Sequence, residues 1–334
     1  MQKIFRGTKR SKLVNSTVKL LVFGALTWAL YYQLAGQWGS LRPAVFLAQG
    51  KPIYLVFAIL LMPLNWLLEA LKWRLFLVGP YALSLRQALR AIFSGLTFAL
   101  FTPFRIGDYV GRILAVEPDQ NGPVVVATLA ASLCQLLALL LFGGIGLYYF
   151  TPQVLTFSPR DYKYFLISGL LGMIILLLSI LYMRGLVQFA LRQKVMRSYK
   201  DKLQPLVQML DDYNIRTFGM ALLLALLRYL TYLSQFVLLL YFGKVAVPID
   251  LAYAGVASLF FVQTSLPLPP ALGLLARSEV ALLLWAPFTD DPLPVLFASF
   301  GLFIINLALP SLIGLGALLR VNILESLGYE KTAN

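Results

Sequence analysis

The sequence predicts an all-α fold: a polytopic membrane protein with about six full transmembrane helices and two re-entrant helical hairpins in an inverted repeat. Three observations lead there. Of the 334 residues, 60% are hydrophobic and only 13% charged, against about 25% charged in soluble domains. The apolar residues fall in blocks of twenty or more, long enough to cross a hydrocarbon layer of ~30 Å at 1.5 Å per residue. Two further apolar segments are broken by proline and carry charges at the break. A chain of this composition cannot hide its apolar surface from water, which excludes a soluble enzyme, a DNA-binding protein and a secreted disulfide scaffold.

The elements follow in order. Residues 1–13 form a basic leader, and the first span is Val14–Leu34. The apolar run there is too long for the h-region of a signal peptide. Ile53–Leu77 is the second span. Leu85–Leu114 is interrupted at Thr102-Pro103, so each half is short for a crossing and proline ends a helix. It reads as a re-entrant hairpin. Pro123–Tyr149 and Lys163–Met183 are full spans. Arg184–Arg216 is the largest polar connection. Within it Ser198–Asp212 alternates charged and apolar residues, as an amphipathic segment near anionic headgroups does; a plain solvated loop fits equally well. Thr217–Phe242 is a span, Leu251–Phe288 a second hairpin broken at Pro267, Pro269 and Pro270, and Pro294–Leu319 the last span. Residues 320–334 are a short tail, so 14–319 is one transmembrane domain.

Basic residues set the orientation. With the N-terminus inside, the cytoplasmic segments hold 18 lysines and arginines and the outer segments 5. Both termini are therefore expected in the cytoplasm of a cell (inner or plasma) membrane. The net charge of +14 fits this bias and contact with anionic lipid better than contact with nucleic acid. The chain has no histidine and one cysteine, Cys134. Histidine acid–base chemistry, the usual zinc sites and an internal disulfide are thus absent, and no metal, cofactor or catalytic residue is assigned.

Charges at membrane depth are costly and mark partners or cavities. In the first hairpin Arg105, Asp108 and Arg112 stand out. Asp108 and Arg112 are four apart and share a helix face. A helix starting near Pro103 adds its N-terminal N–H groups, and arginine's planar fork suits a phosphate; a plain positive-inside anchor is the alternative. In the second hairpin Arg277 lies on the outer side, where orientation does not explain it. Glu279 is two residues on and so shares no face with it. The two are expected at a matching phosphate site, or on an exposed outer helix. Asn65, Glu69 and Lys72 form one polar stripe, with Glu69 able to pair with Lys72 and Lys72 and Arg74 able to snorkel. Arg228, Tyr232 and Gln235 repeat that spacing. Arg228 needs a buried partner, for which Glu69 and Asp108 are candidates. Asn306 is mid-span, as helix glue or ligand contact. Asp211-Asp212 and Asp290-Asp291 read as turn or surface charges.

The string Pro103-Phe104-Arg105-Ile106-Gly107-Asp108, with Arg112 four residues on, resembles the P-G-R-x-G-E-x-x-R signature of the lysylphosphatidylglycerol synthase transmembrane-region family. This flippase-like domain is found in multiple-peptide-resistance-factor proteins. The second hairpin is similar to that family's proline-rich break followed by G-x-R-E. Here Phe104 replaces a glycine and Asp108 a glutamate, Pro270-Ala271 stand for a glycine pair, and Ser278 separates Arg277 from Glu279. The resemblance implies a domain that moves a lipid, such as aminoacylated phosphatidylglycerol, between leaflets. Some relatives are linked to polyprenyl-phosphate sugars or hopanoids. Lipid aminoacylation is not expected, because the soluble transferase domain of bifunctional relatives does not follow.

The leading expectation is thus a flippase or scramblase for a phosphate-containing lipid. Arg105, Asp108, Arg112, Arg277 and Glu279 would bind the phosphate or headgroup, and Asn65, Glu69, Arg228, Tyr232 and Asn306 would line the cavity. No GxxxxGK[ST] motif is present to use a nucleotide. A membrane transferase using a polyprenyl-phosphate-linked sugar, with Asp108 or Glu279 as base, is the alternative. A non-catalytic membrane scaffold is the third. The expected partners are a membrane phospholipid or lipid-linked substrate, anionic headgroups and a separate lipid-modifying enzyme; self-association stays open.

Overall fold

The computed structural model describes residues 48–100, 105–154, 159–182, 213–264 and 270–319, with single positions at 17, 102, 185, 188, 189 and 210. The first predicted span, the tips Pro103-Phe104 and Pro267–Pro269, nearly all of the 184–212 connection and the tail after Leu319 lie outside the described residues. Numbered over what is described, the helices are α1 (Pro52–Arg74), α2 (Leu85–Ala99), α3 (Ile106–Ile113), α4 (Asn121–Val154), α5 (Pro159–Leu181), α6 (Ile215–Phe242), α7 (Ile249–Thr264), α8 (Pro270–Trp285), α9 (Leu293–Phe303) and α10 (Leu309–Leu318). A π-helical turn, Ile304–Ala308, joins α9 to α10 without a break. No strand occurs among the described residues.

Four helices there are long and apolar enough to cross a membrane: Pro52–Arg74, Pro118–Pro152, Ile215–Phe242 and Leu293–Leu318. Helix α1 is inside-out relative to a soluble helix. Val56, Phe57, Ile59, Leu60, Leu64 and Leu67 are exposed, while Asn65, Glu69 and Lys72 are buried. An apolar outer face of this extent is stable against lipid and not against water. The protein is a multi-pass membrane protein.

Local signals explain the helix ends. Pro52 occupies the first turn of α1, where its missing N–H costs nothing. Ser84 and Gln87 form a reciprocal capping box on α2, with the Ser84 N–H donating to Gln87 Oε1 at 2.9 Å. Asn214 caps α6 by accepting from the Thr217 N–H at 2.9 Å. Pro310 stands in the first turn of α10 and has no N–H to donate; the π turn immediately before it keeps the last span continuous.

The two hairpins enter the bundle from opposite ends. At one end the Tyr213 hydroxyl donates to Phe76 O at 2.6 Å; at the other the Lys51 N–H donates to Phe242 O at 3.2 Å. Helix α2 starts at the first end and runs antiparallel to α10. Gly314 abuts Phe93, and the Thr97 hydroxyl donates to Ser311 O at 2.9 Å. Its last turn is therefore level with the π turn, halfway along the last span. Helix α3 folds straight back against α2. Gly107 abuts the Phe98 carbonyl and Gly111 the Ser94 carbonyl, leaving no room for a side chain at either position. This is the small-xxx-small device of close membrane helices. Helix α7 starts at the second end, antiparallel to α4, with the Tyr149 hydroxyl donating to Asp250 Oδ2 at 2.6 Å and Gly143 against Phe261. Leu100 from the first hairpin and Leu274 from the second pack in one buried cluster with Phe303 and Ala308. The hairpin ends thus meet at mid-depth.

One expectation about the first hairpin changes. The helix after its break begins at Ile106, not near Pro103, and Arg105 is its N-cap residue in the left-handed region, with φ 56° and ψ 31°. The free amides near the tip are partly used: the Gly107 N–H donates to the Thr102 hydroxyl at 2.8 Å.

Candidate functional site

Between the hairpin ends lies a cavity of about 400 Å³, within the range of small-molecule sites. Its polar lining comes from five directions: Asn65 on α1, Gln135 on α4, Arg228, Tyr229 and Tyr232 on α6, Gln263 and Thr264 at the end of α7, and Asn306 in the π turn. Arg105 from the first hairpin and Arg277 from the second both line it. Trp66, Leu139, Phe260, Phe303 and Leu307 supply apolar wall.

Behind the cavity sits a buried ion network centred on Glu69. Lys72 Nζ lies 2.7 Å from Glu69 Oε2, Arg112 Nη2 3.1 Å from Oε1, and Arg228 Nε 3.4 Å from Oε2. Asp108 receives Arg112 in a two-pronged pair, 2.9 Å from Nε to Oδ1 and 2.9 Å from Nη2 to Oδ2. Gln135 Oε1 ties the network to α4, accepting from Lys72 Nζ at 2.9 Å and Arg228 Nη1 at 3.0 Å. The guanidinium of Arg112 stacks over Trp73 at 4.9 Å and that of Arg228 over Trp66 at 5.4 Å. Such faces hold a desolvated cation at little extra cost. The i,i+3 and i,i+4 spacings of Glu69 with Lys72 and Asp108 with Arg112 make two of these pairs nearly automatic.

A second polar chain crosses the span interior. Asn65 Nδ2 donates to Asn306 Oδ1 at 2.7 Å, Asn306 Nδ2 to Gln235 Oε1 at 2.9 Å, and Gln235 Nε2 to Ala58 O at 2.8 Å. Asn306 is thus both helix glue and cavity wall.

The charges do not cancel. Lys72, Arg112 and Arg228 outnumber Glu69 and Asp108 by one. The side chain of Arg105 has neither hydrogen bond nor ion pair among the described residues. Arg277 is only 4% exposed, yet its sole partner among the described residues is the Ser299 carbonyl at 3.3 Å, and its Nε has none there. An excess of three positive charges therefore surrounds the cavity; Arg105 is exposed, whereas Arg277 is buried. A buried cation without a counter-ion is expensive, and the cheapest remedy is an anion in the cavity.

The sequence-predicted residues divide into three groups. Asn65, Arg105, Arg228, Tyr232, Arg277 and Asn306 face the cavity. Glu69, Asp108 and Arg112 do not line it; they form the layer behind. Lys72 does not snorkel: it is 1% exposed and paired with Glu69. Glu279 is exposed, away from the cavity, because two residues from Arg277 is the opposite side of a helix. Asp291 serves a turn, its Oδ1 accepting from the Leu293 N–H at 3.0 Å, whereas Asp211-Asp212 lies outside the described residues. Sequence reasoning passed over Gln135, Trp66, Tyr229 and Gln263. A lone glutamine in an apolar run was the readable signal for Gln135, within Val124–Phe142, and for Gln263, after Leu259–Val262; Trp66 and Tyr229 carry none that separates them from packing.

The family model described as the lysylphosphatidylglycerol synthase TM region matches residues 16–314. The chain belongs to that family, which points to a membrane lipid-related function. No curated protein matches it.

Proposed function

We propose that this member of the family moves a phosphate-bearing lipid between the leaflets of a cell membrane, with both termini in the cytoplasm. The observation that carries the reading is that Arg105 and Arg277, from hairpins entering at opposite ends, face one mid-depth cavity without a carboxylate partner. The phosphate of a lipid entering from one leaflet meets Arg105. It passes Arg228 and reaches Arg277, leaving toward the other leaflet, while the acyl chains stay in the bilayer. Tyr232, Asn65 and Asn306 receive the rest of the headgroup along the way.

Bidentate arginine–phosphate pairing holds a headgroup without dehydrating it into bare hydrocarbon. The ion network behind supplies rigidity: Asp108 and Glu69 fix Arg112 and Arg228 so that the positive field does not collapse. Both carboxylates are already engaged by cations, so downhill movement is the simpler reading than proton coupling. A transferase reading lacks support here, because neither Asp108 nor Glu279 lines the cavity.

The test is a proteoliposome assay in which a headgroup-labelled phospholipid is quenched from outside. Wild type is expected to expose the inner-leaflet label. The Arg105→Gln, Arg277→Gln double variant, checked for an unchanged melting profile, is expected to slow exposure by about tenfold or more, the equivalent of one lost charge-assisted hydrogen bond. Equal rates in a folded double variant overturn the reading.

A further inference from the structure

Around the cavity most of the unpaired polar atoms can donate. Arg277 Nε, Trp66 Nε1 and the Tyr229 hydroxyl, which can donate or accept, are buried without hydrogen-bond partners among the described residues, and each belongs to a residue that lines the cavity; Arg228 Nε makes no hydrogen bond either but is ion-paired with Glu69 at 3.4 Å. Against them stands one orphan acceptor there, Asn65 Oδ1, among the described residues. No carboxylate of the described residues lines the space. Of the positive excess of three, one belongs to the network in which Glu69 and Asp108 are shared among Lys72, Arg112 and Arg228, and two belong to Arg105 and Arg277, which have no carboxylate partner among the described residues.

This pattern discriminates between headgroups. A phosphodiester carries one negative charge. Adding a lysyl ester to it brings two ammonium groups, which here would meet arginines and no acceptor carboxylate. A zwitterionic amine has the same difficulty. A terminal phosphate carries about −1.5 to −2 at neutral pH and three strong acceptor oxygens, enough for two arginines and a neutral donor at once.

We propose that the cavity selects a lipid ending in a phosphomonoester or diphosphate, with two or more negative charges, over aminoacylated, zwitterionic or simple diester headgroups. The inference rests on the phosphate-lipid reading above and narrows its substrate class. The diacyl and polyprenyl forms share this chemistry; the chains are told apart by experiment.

The test uses the full chain in phosphatidylcholine nanodiscs, each doped at equal mole fraction with phosphatidic acid, a polyprenyl phosphate, phosphatidylglycerol or lysylphosphatidylglycerol. Retained lipid is counted by native mass spectrometry. At pH 7.5 the phosphomonoesters are expected to be retained at least about tenfold over phosphatidylglycerol, the worth of one charge-assisted hydrogen bond. The preference should shrink toward pH 5, because the second ionisation of the phosphate lies near pH 6. The titratable groups facing the cavity are Arg105, Arg228, Arg277, Tyr229 and Tyr232, and behind them Lys72, Arg112, Glu69 and Asp108 are mutually paired. Arg277→Gln should abolish the preference. Whether one or both phosphomonoesters are retained names the chain type, and either supports the proposal. Equal, arginine-dependent retention of phosphatidylglycerol, or a preference for lysylphosphatidylglycerol, overturns the headgroup class and leaves the phosphate-lipid reading standing. Retention that no arginine substitution alters overturns both. The wild-type pH series needs no variant, so a misfolded Arg277→Gln protein does not shield the proposal.

Discussion

The two hairpins carry an arginine each at almost the same burial, Arg112 at 3% exposure and Arg277 at 4%, and use it in opposite ways. Arg112 is held by two carboxylates and stacked on an indole. Arg277 has one carbonyl among the described residues. The cause is spacing. Asp108 stands four residues before Arg112, on the same face. Glu279 stands two after Arg277, on the other side, where it is exposed. The hairpins also pack differently. The first is closed on itself through Gly107 and Gly111, whereas the second leans chiefly on α4 and α9. The first hairpin spends its inner arginine on structure and leaves the one at its tip, Arg105, to a ligand. The second leaves its inner arginine for that purpose.

Neutralising each arginine should pull the comparison apart most strongly. Arg112→Met strands Asp108 and part of Glu69 in the interior and is expected to cost about 3–5 kcal/mol, read as a large fall in the melting temperature in detergent. Arg277→Met removes a charge with no carboxylate partner among the described residues, so stability is expected to rise, by about 1 kcal/mol or more, while lipid movement falls. A matching loss of stability in both variants would mean that Arg277 is a structural residue too.

Giving Arg277 the partner that Arg112 has tests whether spacing alone makes the difference. Gly273 lines the cavity four residues before Arg277. Gly273→Asp, checked for an unchanged melting profile, is expected to cut retained phospholipid by about tenfold or more, because the new carboxylate takes the ligand's place; about 1.5–3 kcal/mol is the usual worth of such a charged hydrogen bond. Undiminished lipid retention would show that Arg277 is not where the phosphate sits. The smallest effect is expected from Asn306→Ala, which opens the Asn65–Asn306–Gln235 chain shared by both halves. Interhelical hydrogen bonds in membranes average about 0.6 kcal/mol, so the melting temperature should move only slightly. A larger drop would make this chain, rather than the ion network, the clamp between the halves.

Much of the architecture is legible in the sequence. The span Ile53–Leu77 is observed as Pro52–Arg74, Thr217–Phe242 as Ile215–Phe242, and Pro294–Leu319 as the continuous Leu293–Leu318. Blocks of apolar residues decide this, since only a helix satisfies its backbone in lipid. The pairs Glu69–Lys72 and Asp108–Arg112 were equally legible, being local. Less legible was the start of α3: a proline marks the break, but the left-handed Arg105 depends on how the returning helix docks on α2.

The sequence by itself determined a helical membrane protein with two broken segments, its family, and which charges pair along one helix. Only the tertiary structure decided which charges meet across helices. Arg228 joins Glu69 from α6, Gln135 bridges Lys72 and Arg228 from α4, and Arg105 and Arg277, 172 positions apart in the chain, face one cavity. The physical reason is that helical periodicity fixes neighbours within a turn, whereas neighbours between helices depend on depth and rotation, which are set by close contacts such as Gly107 on Phe98 and Gly314 on Phe93.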